Sequence, residues 1–336
     1  MKKSLDNQEY EEVVSRIENK QDLIEISKET KVLYDTLLCI SSQIEQNKTR
    51  ATHFSHRNVE CMAKYYQIIR QKEFSIVELS SKVELSSSLM SRLILQYHVC
   101  LSFFGEQSKG RESSGALSKK ESSEQSSQVL KEEFSERLSG QVGENSESGR
   151  GDWVIKLNNK QLNSRQVKEK VKEMMKDVRL IEDKELREQV SKAICEDKFY
   201  SPFVEKVKAN EGVEYELLLQ GKLKKFGIKF HKEQNLREMG LSKTPDIKLK
   251  LPIVINGQVI NWIESKASFG DHYTHQQYLR SQFWGYFDRF GPGAVIYWFG
   301  FVKHLQTFTE NENEKQILLL DNFPSDFGND TNFCFS

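Results

Sequence analysis

The chain has 336 residues, with 49 Lys plus Arg against 49 Asp plus Glu, 37% hydrophobic residues and five cysteines. That length can bury a sizeable core and predicts two domains, while the zero formal charge excludes a global basic field and leaves nucleic-acid binding to a local basic surface. Cys39, Cys61, Cys100, Cys195 and Cys334 are odd in number and form no Cys-x-x-Cys pair, which predicts reduced intracellular thiols and no zinc ribbon.

No apolar run approaches the ~18 residues of a membrane span, so the expectation is a soluble protein of nucleus and cytoplasm without a membrane partner. Residues 1–105 read as all-α. Tyr10, Val13, Val14 and Ile17, then Leu23, Ile24 and Ile26, then Val32, Leu33, Leu37 and Leu38 recur at helical spacing, with no proline among them. Ser75 and Ser86 are suited to cap two short helices around a tight turn, a helix-turn-helix-like module. Its second helix, from near Ser87, offers Arg92 and Gln96 to base edges; the other reading is a packing module of three short helices.

Residues 106–150 are rich in Ser, Glu, Lys, Gly and Gln and predict a disordered linker. Residues 151–202 form a helical lead-in, with amphipathic stretches at Val167–Met175 and Lys184–Ile194. The final domain, 203–336, begins with a helix over Glu211–Leu223 and a short strand at Ile228–Phe230. Two strands flank Asn256-Gly257, a strong hairpin signal. A helix from His275 to Phe290 is stopped by Gly291-Pro292-Gly293, and Ala294–Val302 reads as a strand buried on both faces. The element order is helix, three strands, helix, strand, an α/β arrangement.

Thr244-Pro245-Asp246 precedes the first hairpin strand and Glu264-Ser265-Lys266 ends the second. Hydrolysis of a phosphodiester requires an activated water, charge neutralisation at the phosphate and stabilisation of the leaving oxygen, all of which magnesium or manganese on hard oxygen ligands can supply. Asp246, Glu264 and the backbone carbonyl of Ser265 are the expected metal ligands. Lys266 shares a strand face with Glu264 and is placed to orient water or offset phosphate charge. One obstacle follows from the turn. A regular two-residue hairpin at Asn256-Gly257 sets Asp246 opposite Ala267, facing away from Glu264, so a one-residue bulge is predicted between Asp246 and Ile255, near Pro252. His272 and His275 beside Asp271 lack a third zinc ligand at matching spacing and are expected to cap the helix or bind phosphate.

The element order with Asp246, Glu264 and Lys266 resembles the PD-(D/E)xK nuclease superfamily, whose core is αβββαβ. Gln282 and Tyr286 look like the Gln-x-x-x-Tyr element of its RecB-like branch, which implies substrate contact near the metal, and Glu216 is placed like the acid some members add to the metal shell. Lys243-Thr244-Pro245-Asp246, Trp262-Ile263-Glu264-Ser265-Lys266-Ala267 with Phe269-Gly270-Asp271, and Arg289-Phe290-Gly291-Pro292-Gly293 with Val295-Ile296-Tyr297-Trp298-Phe299-Gly300-Phe301 together resemble the TPD-motif family over about residues 180–302. That resemblance implies a Mg²⁺- or Mn²⁺-dependent nuclease acting on DNA, with a codanin-like partner and a nuclear, chromatin-linked role. A nuclease-fold adaptor that binds such a partner without catalysis is the alternative.

Overall fold

A computed structural model describes residues 1–109, 154–157, 160–307 and 317–324. Of the linker expected over 106–150, residues 110–150 lie outside the described residues, as does Cys334. In chain order the helices are α1 (Asn7–Glu18), α2 (Leu23–Thr30), α3 (Tyr34–His53), α4 (Val59–Arg70), α5 (Ile76–Lys82), α6 (Ser87–Lys109), α7 (Ser164–Lys176), α8 (Lys184–Glu196), α9 (Pro202–Lys225), α10 (Glu233–Glu238), α11 (His272–Tyr278) and α12 (Trp284–Phe290). The strands are β1 (Val154–Leu157), β2 (Lys160–Asn163), β3 (Phe230–Lys232), β4 (Ile247–Ile255), β5 (Gln258–Lys266), β6 (Gly293–Tyr297) and β7 (Ile317–Leu320).

The chain forms two compact units, one of Met1–Glu45 with Lys206–Ser336 and one of Gln46–Glu205. These cut across the linear division read from the sequence, because the first 45 residues group with the sheet. The sheet runs β3-β4-β5-β6-β7. β3, β4 and β5 pair antiparallel, whereas β5, β6 and β7 pair parallel, with α11 and α12 in the β5–β6 crossover. Leu219 and Leu223 of α9 pack with Ile247, Leu249, Ile263 and Ile296 in one cluster. Trp262, Val295 and Tyr297, which alternate with those residues along their strands, pack in another with Phe283, Tyr286 and the N-terminal Val13, Ile26, Leu37 and Ile40. Both sheet faces are therefore covered, as parallel strands require.

Backbone bonds fix the N-terminal segment to the sheet unit: Leu5 N–H donates to Phe301 O at 3.0 Å and Lys303 N–H to Leu5 O at 2.8 Å. Helix His275–Phe290 is realised from His272, interrupted by a π-helical turn at Leu279–Phe283. The strand expected to reach Val302 stops at Tyr297. Gly300, at φ 88°, closes a turn by donating to Tyr297 O at 2.8 Å, a left-handed conformation that glycine tolerates and that ends the extended run.

In the second unit, Ser75 accepts from Glu78 N–H in a capping box and Ser86 Oγ accepts from Leu89 N–H at 3.3 Å, as the sequence predicts. The DNA-reading use of this module is not what the structure supports. α6 buries Leu89, Met90, Leu93, Ile94, Leu95 and Tyr97 together with Ser87, Ser88 and Ser91. Most of its circumference is core, and Arg92 and Gln96 stand half-buried on the remaining stripe. Arg92, moreover, is spent on Glu205 at 2.6 Å and on Tyr200 O at 3.4 Å. Asp197 anchors the start of α6, accepting from Ser88 N–H at 2.9 Å, Phe199 N–H at 2.8 Å and Tyr200 N–H at 2.7 Å. Burial alone raises its pKa, yet the Ser86 hydroxyl, which also donates to it, and these backbone bonds hold the carboxyl below its usual range. Among the described residues no helix is long and apolar enough to cross a membrane.

Candidate active site

The β4–β5 hairpin turns at Asn256 and Gly257, both left-handed at φ 51° and 77°, and Ile255 pairs Gln258. Two positive φ angles in a two-residue loop give the I′ geometry that Asn-Gly favours. From that turn the register runs regularly through Ile253↔Ile260 and then shifts, resuming at Lys248↔Trp262 and Ile247↔Ile263. Between the two registers β4 advances five residues, Lys248 to Ile253, while β5 advances two, Trp262 to Ile260, leaving three extra residues on β4. The predicted bulge is present and larger than one residue. Its odd size matters, because each single-residue slip exchanges the faces. Continuing the shifted register brings Asp246 level with Glu264 instead of Ala267.

Asp246 Oδ2 accepts from Ser265 N–H at 2.8 Å, and Asp246 N–H donates to Glu264 Oε2 at 3.3 Å. Lys266 Nζ donates to Glu264 Oε1 at 2.7 Å and to Gln282 Oε1 at 2.9 Å. The ammonium also lies 4.5 Å from the Tyr278 ring centroid, a cation–π contact. Glu264 is only 4% exposed. Burial, and next the charge of Glu264, push the Asp246 carboxyl well above its usual pKa. Burial also raises Glu264, against the opposing pull of Lys266. For Lys266 burial works downward, but the Glu264 carboxylate outweighs it and holds the ammonium above its usual value.

A family model described as "Protein of unknown function TPD sequence-motif" matches residues 182–323. The curated protein "CDAN1-interacting nuclease 1" of Xenopus laevis is 34% identical over 295 residues, covering 86% of this chain and 77% of that protein. Its Danio rerio counterpart is 34% identical over 297 residues, covering 87% and 78%, and that of Homo sapiens is 33% identical over 296 residues, covering 86% and 83%. The chain belongs to the TPD-motif family. No solved structure matches it.

The family match spans every residue expected at the site, from Glu216 to Tyr286. Within the TPD motif, Thr244 and Pro245 are buried and Asp246 half-buried. Tyr286 is 4% exposed and meets Trp262 edge-on, with ring centroids 5.3 Å apart. Its hydroxyl pKa is raised by burial and then by the charges of Glu264 and Asp246. Glu216 on α9 is half-buried. Its own pKa rises through burial and the charge of Glu233, and its charge acts on Asp246. The structure thus joins Asp246, Glu264, Ser265, Lys266 and Gln282 by direct bonds, sets Tyr286 beside them, and keeps Glu216 in electrostatic range without a bond to them.

Sequence reading missed Glu233. The β3–β4 pairing ends at Lys232↔Ile247, so the next pair in that register is Glu233 with Asp246, and Glu233 N–H donates to Asp246 O at 3.1 Å. Its carboxylate pairs with Arg237 at 2.6 Å and is felt at Glu264 and Tyr286. Only the true end of β3 reveals it, and the sequence placed that strand two residues early. Tyr278 was legible, standing one helical turn before Gln282.

Half-buried Asp246 and buried Glu264 present hard oxygen donors beside one ammonium, a donor set that suits magnesium or manganese. Among the described residues no group of three or more His, Cys, Asp or Glu is gathered to hold a metal. His275 is buried, bonded to Tyr297 OH at 2.9 Å, and its pKa is pulled down to about 4, chiefly by burial.

Proposed function

We propose that this TPD-motif chain is a Mg²⁺- or Mn²⁺-dependent nuclease that hydrolyses phosphodiester bonds in DNA, acting with a codanin-like protein in a chromatin-linked process of nucleus and cytoplasm. The odd-numbered register shift that brings Asp246 beside Glu264 carries the reading, since a hairpin has no other evident reason to gather two acids and a lysine on one face. The order α9, β3, β4, β5, α11 with α12, β6, with the short α10 inserted between β3 and β4, supports a PD-(D/E)xK core. The relatives' name supports both the nuclease and the codanin-like partner.

Asp246, Glu264 and the Ser265 carbonyl are the residues that would hold the ion, which when bound lowers the pKa of water and neutralises phosphate charge. Lys266 is kept protonated by Glu264 and aimed by Gln282, so it presents a fixed positive charge to an incoming phosphate. Tyr286, protonated, offers a hydroxyl donor at the edge of the same face. The test incubates the protein with labelled single-stranded, duplex and branched DNA and RNA in Mg²⁺ or Mn²⁺. Wild type is expected to cleave, and Glu264→Ala and Lys266→Ala to lose more than about 100-fold; equal products from wild type and Glu264→Ala on every substrate would defeat the proposal.

A further inference from the structure

We infer that Lys248 is a substrate-contact residue, binding a backbone phosphate next to the one presented to Asp246 and Glu264. The inference rests on the nuclease reading above and extends it to the path of the strand. Ile247 and Leu249 bury their side chains in the α9 cluster, so Asp246 and Lys248 stand on the opposite face of β4, two residues and about 7 Å apart. Lys248 pairs across the sheet with Trp262, two residues before Glu264 on the same face. The lysine therefore extends the row of site residues along the hairpin and away from Lys266.

Its ammonium is less fully bonded than that of Lys266, which donates to Glu264 and Gln282. An ammonium has three donors, and Lys248 Nζ uses one, to Leu249 O at 3.0 Å. The nearest ring, Phe290, has its centroid 5.9 Å away. The side chain is half-buried, and no Asp or Glu among the described residues forms an ion pair with it. A half-buried cation without a counter-ion is costly, and the ligand that removes the cost is an anion. On a face already shared with two carboxylates, an acidic side chain of the chain itself would add repulsion, whereas a phosphodiester strand threading past the site supplies one anion at each successive residue.

The test compares wild type with Lys248→Gln, Lys248→Met and Lys248→Arg, using labelled duplex and single-stranded DNA and RNA. Binding by anisotropy with Ca²⁺ in place of Mg²⁺ is read across a salt series, and cleavage in Mg²⁺ is resolved into kcat and KM. Lys248→Gln and Lys248→Met are expected to weaken binding about 10-fold on every sequence and to reduce the salt slope by about 1. KM rises, kcat stays within about 2-fold, Mg²⁺ affinity by calorimetry is unchanged, and Lys248→Arg recovers binding. Unaltered affinity and salt slope in Lys248→Met, with cleavage intact, overturn this inference and leave the nuclease reading standing. Loss of codanin-like partner binding with nucleic-acid binding unaltered overturns it in favour of an acidic protein ligand. Folded wild type that neither binds nor cleaves any of these substrates overturns both.

Discussion

Asp246 and Glu264 are held side by side, with Lys266 bonded to Glu264, and burial of the pair sets how the site answers to pH. Both carboxyls have folded pKa values above their unfolded ones. The sign follows from linkage: a raised acid contributes stability below its unfolded pKa, near 4, and that contribution is lost as pH rises through the folded value. Without metal, then, wild type is expected to lose thermal stability relative to Asp246→Asn as pH climbs from about 4 toward neutrality, and added Mg²⁺ to restore it in wild type alone. Scanning calorimetry across pH with and without Mg²⁺ checks this. A wild-type advantage that grows with pH in the absence of metal contradicts it. At this scale the sequence was legible: the residue types at Asp246, Glu264, Lys266, Gln282 and Tyr286 point to their chemistry before any coordinates. Glu233 and Lys248 were not, because each matters through register, not type.

The β4–β5 hairpin turns residue types into a site by parity. Asn256-Gly257 sets the register from the turn, and three extra residues between Lys248 and Ile253 reverse which face Asp246 occupies. Deleting Lys250 alone leaves an even excess and turns Asp246 away from Glu264. Deleting Lys250 and Leu251 together leaves an odd excess and keeps the two acids together. Metal-dependent cleavage and Mg²⁺ titration are expected to fall by more than about 100-fold in the single deletion and by far less in the double one, the reverse of what loss of material alone predicts. The need for a bulge could be read from the sequence, since the hairpin turn and the acid spacing conflict without one. Its size could not, because β3 bonds the same stretch: Leu249 pairs Phe230, and Lys250 N–H donates to Lys229 O at 2.9 Å.

For the molecule as a whole, the N-terminal residues are part of the sheet unit. Leu5, Val13, Ile26, Leu37 and Ile40 are almost wholly buried in the cluster that contains Phe269, Tyr297 and Phe301. Thr36 Oγ1 donates to Phe299 O at 2.8 Å and Gln43 Nε2 to Phe269 O at 2.7 Å. Leu37→Ala is expected to cost about 2–5 kcal/mol and to abolish Mg²⁺-dependent cleavage in the same thermal transition that melts the sheet. Denaturant unfolding followed beside activity checks it; cleavage that survives the unfolding of the N-terminal helices would show those helices to be dispensable.

The sequence by itself determined most of the helices, the hairpin turn, the residue types at the candidate site and the family, because caps, periodicity and short motifs are local signals. Ser75 with Glu78 and Asn256 with Gly257 act on residues within a turn of themselves. What only the tertiary structure decided was long-range: that the first 45 residues complete the sheet unit, that α6 buries most of its surface in a core, and that three bulged residues align Asp246 with Glu264. Each depends on which surfaces meet across more than a hundred residues or on a pairing shared among three strands, and neither leaves a mark on any one stretch of chain.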